Sequence, residues 1–540
     1  MSCWIRWTVV LMALTVVLWA GLCAPAAAAE PIDIGARREL MVDDFLIEAM
    51  RGEVRLQLHH PMPREIVFET DAPWEGNAAA YQSVFQEGNL YRMYYHGGQY
   101  RTGGAATQAM DEHPWTFCYA ESDDGIHWRR PELGICEFGG STANNIILMP
   151  ESLAEFGGDP AHTAAFLDSN PACPPDAKYK IVVVGSKPFG LYILKSADGI
   201  HFSPLSTEPV ITQGAFDSQN LAFWDPALGA YRAYWRIFTE GITEGTTWSP
   251  GGFRAIRTAT SPDLLQWSDP VDLTYVSSPE EHLYTNQIQP YYRAPHILMG
   301  FPMRYTERSW SEPLLDLPGR EERMARAAGH PRYGAAITDG LFMTSRDGQL
   351  FKRWNEAFLR PGPRARHSWV YGDNFIFWGM VETPSVLEDA PREISLYATE
   401  GYWEGTSTSI RRLTIRVDGF VSASASLAGG ELVTKPIRFA GGNLSLNFAT
   451  SGAGSVQVEI QDLSGKAIEG YSLADCPPIF CDRLDKVVRW KKAGGDVRPL
   501  AGKAVRLRFV LKDADLYSLR FVPYAADPER PAGAGKTVAR

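Results

Sequence analysis

Three acidic residues stand out because each lies in a polar, turn-rich stretch just ahead of an apolar one. Glu75 falls in Asp71-Ala72-Pro73-Trp74-Glu75-Gly76-Asn77, Asp159 in Gly158-Asp159-Pro160-Ala161-His162, and Asp217 in Phe216-Asp217-Ser218-Gln219-Asn220. Carboxylates brought together from separate parts of a chain can serve as nucleophile, base, acid or charge stabiliser. The plainer role for each is to cap a turn, most readily for Asp159, which precedes Pro160. Asp217 is the strongest candidate, since polar residues crowd where an apolar strand begins. Glu382 ends an apolar strand and Asp339 ends an apolar segment before Gly340, so either could substitute. An outward-facing strand end and a turn cap are their simpler readings. Around these acids lie groups suited to ligand contact: Trp74 for stacking, His162, Asn220, Asn286, Gln287, Arg366 and His367. Arg293 and Arg304 could meet a uronate or sulfate, although arginines more often pair with acids of the same chain.

The elements that must position these residues are written in a repeat. Four segments share the form Ser-x-Asp-(Gly)-x-x-aromatic, at 122–128, 196–202, 261–267 and 345–351, with serines 74, 65 and 84 residues apart. A degenerate fifth copy falls at 398–403. Each reads as a tight turn between antiparallel strands, with Ser or Asp capping, Gly permitting the backbone, and the aromatic packing beneath a neighbour. Ahead of each turn come an apolar strand and an aromatic-rich strand: 81–85 with 90–95, 163–167 with 179–184, 220–224 with 230–235, 287–292 with 296–301, and 368–371 with 374–381. Five units of four short strands over 65–420, roughly 70 residues each, predict a five-bladed β-propeller. A series of sandwiches or a six-bladed ring is the alternative. Residues 36–62 could supply a strand that closes the ring, and the insertion at 306–332 contains a helix-like stretch at 321–328. From 421 the pattern changes to that of a β-sandwich over 421–525, followed by a Pro/Gly/Ala-rich tail at 526–540. The fold class is therefore all-β, with the propeller assigned to 30–420.

Composition agrees. The 540 residues are 45% hydrophobic and 12% aromatic, which excludes disorder, collagen and coiled coil as the main state. The net charge of −11 without a basic stripe argues against a nucleic-acid partner. Residues 1–29 have a positive start, an apolar stretch and an alanine-rich end, the pattern of a secretory signal peptide. An uncleaved membrane anchor is the alternative, and the apolar run is short for one. The expectation is a secreted or periplasmic protein with no membrane association after cleavage. Five cysteines then remain, an odd number; Cys476 and Cys481 are close enough to bridge a loop, and equally suited to remaining free. No Cys/His pattern calls for zinc.

The turn Ser122-Asp123-Asp124-Gly125-Ile126-His127-Trp128, its repeats, and Tyr81-Gln82-Ser83-Val84-Phe85 through Tyr91-Arg92-Met93-Tyr94-Tyr95-His96 resemble the five-bladed propeller glycoside hydrolases. These are the invertase and levansucrase type and the arabinanase and xylosidase type (families 32, 68 and 43). The invertase type also has a C-terminal β-sandwich, so the likeness covers nearly the whole mature chain. The invertase motifs Asn-Asp-Pro-Asn-Gly and Arg-Asp-Pro are absent, which makes this a divergent member without implied sucrose or fructan specificity. The resemblance implies a secreted enzyme cleaving glycosidic bonds of poly- or oligosaccharides with carboxylates at a channel mouth. In blade order, Glu75 would be nucleophile or base, Asp159 stabiliser and Asp217 acid, where the families usually carry Glu. No cofactor is implied; a structural Ca²⁺ would suit such a fold, but no motif demands it. A non-catalytic carbohydrate-binding propeller would keep the polar and aromatic contacts without paired carboxylates. A sialidase-like enzyme would need an arginine cluster and a tyrosine nucleophile.

Overall fold

The computed structural model describes residues 30–101, 110–111, 113–243, 247–365 and 367–525. The expected signal peptide, the tail and Arg366 lie outside the described residues. The fold is nearly all β, in a propeller-like succession of antiparallel sheets. Unit one pairs Ser83–Glu87, Leu90–Gly97, Thr116–Ser122 and Ile146–Leu148 in chain order. Unit two runs Gly158–Leu167, Tyr179–Ser186, Phe189–Ser196 and Ser203–Pro204, and unit three Leu221–Asp225, Ala230–Ile242, Ser249–Ser261 and Val271–Asp272. The last unit has Val381–Thr383, Glu393–Glu400 and Ser409–Ile415, with Met62–Glu69 as its fourth strand. These four sheets have four strands each, as the repeat predicts, but among the described residues there are four such sheets and not the expected five. The remaining unit departs from it: Gln289–Tyr291, Ala294–Gly300, Ala336–Ser345 and Leu350–Leu359 sit within a seven-stranded sheet. The extra strands are Thr274–Tyr275, His282–Leu283 and Met303–Glu307, and the insertion adds the helices Glu312–Leu315, Arg320–Gly329 and Pro331–Ala335.

Side-chain alternation stacks the sheets against each other. On Tyr179–Ser186, Ile181, Val182, Val183 and Val184 are all buried, because both faces are covered. Ile181 and Val183 join a core with Tyr94 and Phe117 of unit one, while Val182 and Val184 join another with Leu221 and Tyr234 of unit three. Full burial of such a side chain is worth roughly 1.5–3 kcal/mol.

The repeated turns lock the units together. Ser122 Oγ accepts from the Gly125 N–H at 2.9 Å, and Asp124 Oδ1 accepts from the Ile126 and His127 N–H groups at 2.8 Å. The same arrangement recurs at Ser196, Ser261 and Ser345. Gly125 has φ +75°, in the left-handed region that glycine adopts freely, and its Cα faces the side chains of Thr383, Tyr397 and Tyr91. Three of the four turns accept a tyrosine hydroxyl from the unit before them. Tyr94 of unit one donates to Gly199 O of unit two (2.9 Å), and Tyr234 donates to Gly348 O (2.9 Å). Tyr397 of the last unit donates to Gly125 O of the first (2.6 Å), which joins the two ends of the succession.

The segment expected to close the ring goes elsewhere. Ile47–Gly52 pairs with Gly430–Thr434, and Arg55–Leu58 with Val421–Ala425, so the closing strand is Met62–Glu69 instead. The sandwich expected over 421–525 takes the form of a continuous eight-stranded sheet built on the long strands Asn443–Gln461 and Arg506–Val522. Register shifts at Asn447/Phe448 and Thr450/Ser455 interrupt their pairing. One core gathers Leu432, Leu446, Val458, Phe509 and Phe521. All five described cysteines are free, so Cys476, buried, and Cys481, exposed, are not bridged. Among the described residues no helix is long and apolar enough to cross a membrane.

Candidate functional site

The starts of the first strands meet in the middle of the molecule. Gln219 Nε2 donates to Tyr81 O at 2.8 Å, Gln287 Nε2 donates to Gln219 Oε1 at 2.5 Å, and Trp378 Nε1 donates to Ile288 O at 3.0 Å. The Val84 N–H donates to Trp378 O at 2.8 Å, returning to unit one. Asn286 and Gln287, expected to touch ligand, are thus buried in this junction, and Asn286 Oδ1 accepts from the Ile288 N–H. Asn220 is likewise turned inward, donating to Phe216 O and Ser218 O at 2.9 Å.

Just outside this plug lies a cluster of ionisable and aromatic groups, one or more from every unit. Asp159 Oδ2 is 2.6 Å from His162 Nδ1, and its Oδ1 accepts from the Ala161 N–H at 2.8 Å. Burial pushes the Asp159 carboxyl up, but His162 and the backbone N–H outweigh it and hold the group below the ordinary carboxylate range. The side chain nevertheless remains 40% exposed. Asp217 contacts the buried Arg236 and keeps 48% of its side chain exposed. It is the one exposed residue in 214–223. Tyr81 adjoins this pair, its ring 5.6 Å from that of His162 and 5.5 Å from that of His96. Burial lowers His96 to about 4, so its Nε2, 3.2 Å from the Ala80 N–H, belongs to a neutral ring near pH 7.

Tyr284 and Tyr371 complete the cluster, their hydroxyls 3.0 Å apart. Both precede the first strands of their units, Gln289–Tyr291 and Val381–Thr383. Three guanidiniums surround Tyr284. Arg236 and Arg254 lie 5.2 and 5.3 Å from its ring centroid, and the charge of Arg332 also reaches it. Burial raises the Tyr284 phenol, but these cations and the Tyr371 hydroxyl draw it below its usual value, whereas Tyr81 and Tyr371 are raised. Backbone strain collects at the same end: Tyr81, Gln287, His367, Trp369, Asn374 and Trp403 all have φ between +47° and +64°.

The other sequence candidates have different surroundings. Glu75 is fully buried, and all four acceptor positions of its carboxylate are taken: Tyr95 Oη at 2.5 Å, Arg130 Nε and Nη2 at 2.8 Å, and the Ala72 N–H at 3.0 Å. Trp74 donates its Nε1 to Asn145 Oδ1 at 2.7 Å. His367 pairs with Glu404 at 2.6 Å, near the buried Asp373, whose carboxyl burial raises well above its usual range. Glu382 lies at the far end of the first strands, lining a cavity of about 470 Å³ with Tyr91, Asp123, Tyr292 and Arg392. Asp339 accepts twice from Arg304, and Arg293 pairs with Asp418, so neither arginine is free for an acidic ligand. Among the described residues no group of three or more His, Cys, Asp or Glu could hold a metal ion.

Of the residues expected from the sequence, Asp159, Asp217 and His162 belong to this cluster. Tyr81, Tyr284, Tyr371, Arg236, Arg254 and Arg332 join it without having been singled out by any sequence pattern. Arg332 arrives on the helix Pro331–Ala335 of the insertion, whose placement no local pattern gives.

No family model and no curated protein matches the chain. Solved structures with a similar strand arrangement include an N-acetylgalactosamine deacetylase from F. plautii in complex with blood group B trisaccharide. It is 12% identical, covers 67% of this chain and 95% of its own, and has a TM-score of 0.38. A glycoside hydrolase family 43 arabinoxylan arabinofuranohydrolase from Bacillus subtilis, in complex with cellotetraose, is 11% identical, covering 84% and 98%, with a TM-score of 0.37. A glycosyl hydrolase from Bacteroides ovatus is 15% identical, covering 70% and 93%, with a TM-score of 0.34.

Proposed function

We propose that this protein hydrolyses glycosidic bonds of poly- or oligosaccharides at the strand-opening end of the propeller, using Asp159 and Asp217. One observation carries this reading: Asp217 is an accessible carboxylate in an otherwise buried run, beside the Tyr81–Tyr284 cluster that also holds the accessible Asp159. Glycoside cleavage needs two carboxyl groups flanking the scissile bond, about 5–9.5 Å apart depending on stereochemistry. Asp159, held ionised, suits the nucleophile, base or stabiliser, and Asp217 acts from the opposite side. Glu75 becomes a brace, because a carboxylate with every acceptor position occupied has none left for substrate. Export, from residues 1–29, belongs to the same proposal.

A second reading rests on Tyr284. A phenol whose ionisation three guanidiniums favour could replace a carboxylate as nucleophile, with Asp159 or Asp217 as proton carrier. The test is a panel of aryl glycosides and polysaccharides incubated with the mature chain, Asp217→Asn and Tyr284→Phe. The first reading expects turnover lost in Asp217→Asn and reduced less than tenfold in Tyr284→Phe; the second expects the larger loss in Tyr284→Phe. Saccharide binding without turnover in the unaltered protein would leave a carbohydrate-binding propeller.

A further inference from the structure

The charges around Tyr284 do not balance. Arg236 has Asp217, but among the described residues neither Arg254 nor Arg332 has a carboxylate within 4.0 Å. Arg254 is only 8% exposed. Its guanidinium lies against aromatic rings, 5.1 Å from the centroid of Phe238, 5.3 Å from Tyr284 and 4.8 Å from Tyr305, and its Nε has no hydrogen-bond partner. Arg236 Nε is also without one. Arg332 lies over Tyr333 at 5.0 Å and donates to its hydroxyl at 3.5 Å. Glu307 accepts from the Tyr305 hydroxyl at 3.3 Å. A buried guanidinium with an unsatisfied N–H is costly unless an anion completes it. The rest of the molecule makes this excess unusual, since the chain carries a net charge of −11 and its other buried arginines mostly pair with acids, as Arg38 does with Asp418 and Arg232 with Asp225.

We propose that Arg254 and Arg332 form a subsite for the acid group of an anionic sugar, a uronate carboxylate or a sulfate ester. The inference rests on the reading of this end as a saccharide site and names its substrate class. Guanidinium forks match both oxyanions bidentately, and the aromatic surround of Phe238, Tyr305 and Tyr333 excludes water and strengthens the attraction. The local positive charge within an acidic protein would concentrate such sugars at this mouth and disfavour neutral ones.

The test measures binding of glucuronic acid, galacturonic acid, glucose 6-sulfate and glucose to the full mature chain by titration calorimetry, at 50 and 500 mM salt. At least one acidic sugar should bind tenfold or more tighter than glucose, and the advantage should shrink at high salt. Uronate against sulfate preference identifies the source of the acid group. Arg332→Gln, at a half-buried position outside the sheets, should reduce acidic-sugar affinity at least tenfold and bring it toward that of glucose; Arg254→Lys should do the same less strongly. Equal binding of glucose and all three acids, or selectivity untouched by Arg332→Gln, overturns the subsite. The catalytic reading fails separately: acid-selective binding with no glycoside cleaved by the unaltered protein removes hydrolysis and keeps the subsite, whereas cleavage of neutral glycosides alone does the reverse.

Discussion

Replacing Glu75 by Gln separates a brace from a catalyst. The carboxylate accepts four hydrogen bonds, two of them from Arg130, and is fully buried, while the Arg130 side chain is 28% exposed. Glutamine keeps one acceptor oxygen and turns an amide NH₂ toward a guanidinium, so at least two charge-assisted bonds are lost. Such bonds are worth about 1.5–3 kcal/mol each. Arg130 retains Asp71 at 3.0 Å and Glu69 O, and its exposure lets water replace part of the loss. The expected destabilisation is therefore about 2–4 kcal/mol, toward the lower end of what breaking a buried ion pair costs. Urea unfolding followed by tryptophan fluorescence measures it. Because two sheet systems need not unfold together, the measurement is completed as a cycle with Arg130→Gln and the double variant. The double variant should lose markedly less than the two single losses combined, with coupling above about 1 kcal/mol. Where the variant is folded, glycoside turnover should stay within threefold of the unaltered protein. A stability change under about 0.5 kcal/mol with a thousandfold loss of turnover would refute the assignment and return Glu75 to the catalytic set.

Asp198→Ala removes the carboxylate that accepts from the Ile200 and His201 N–H groups at 2.9 Å, and should cost about 1 kcal/mol in the same unfolding assay. Acid should weaken the fold in a defined direction. For Glu39, burial raises the carboxyl, but His296, Arg346 and Arg37 outweigh it and hold it at about 2; Asp124 and Asp198 are also depressed. A group lowered on folding stabilises above its unfolded pKa, near 4, and loses that contribution as pH falls through the folded value. The unfolding midpoint should drop steadily below pH 4, less so in Glu39→Gln; an unchanged midpoint from pH 4 to 2 contradicts this. Thiol titration of the native protein should find Cys481 reacting fastest and Cys118, Cys136 and Cys476 protected; a protein with only three titratable thiols after unfolding would establish the bridge that this fold lacks.

The parts of the fold legible in the sequence were those set by short-range chemistry. Ser-x-Asp-Gly turns close on themselves within seven residues, and the strands on either side alternate or run apolar, so four-stranded units follow from local pattern. Pairings between distant segments were not legible. Nothing within 47–58 distinguishes a strand that closes the ring from one that pairs with 421–434, since either burial satisfies the same alternation. The site divides the same way. Asp159, Asp217 and Glu75 look alike in sequence, each an acid ahead of an apolar strand. Arg130, 55 residues from Glu75, is what occupies the acceptor positions of one of them. The tyrosines were overlooked because aromatic residues in a β protein usually fill core. Tyr284 is half-buried beside arginines that come from Ala230–Ile242, Ser249–Ser261 and the helix Pro331–Ala335, a meeting that only the folded chain produces.

The most direct measurement is a crystal structure of Asp217→Asn holding an oligosaccharide that the unaltered protein is found to cleave. The scissile glycosidic oxygen should lie within about 3 Å of the residue 217 side chain, with Asp159 on the other face of the sugar and Tyr81 and Tyr284 alongside. A saccharide bound instead against Glu382 and Arg392 at the far end of the strands, or one whose scissile bond touches neither position 159 nor 217, would contradict the account.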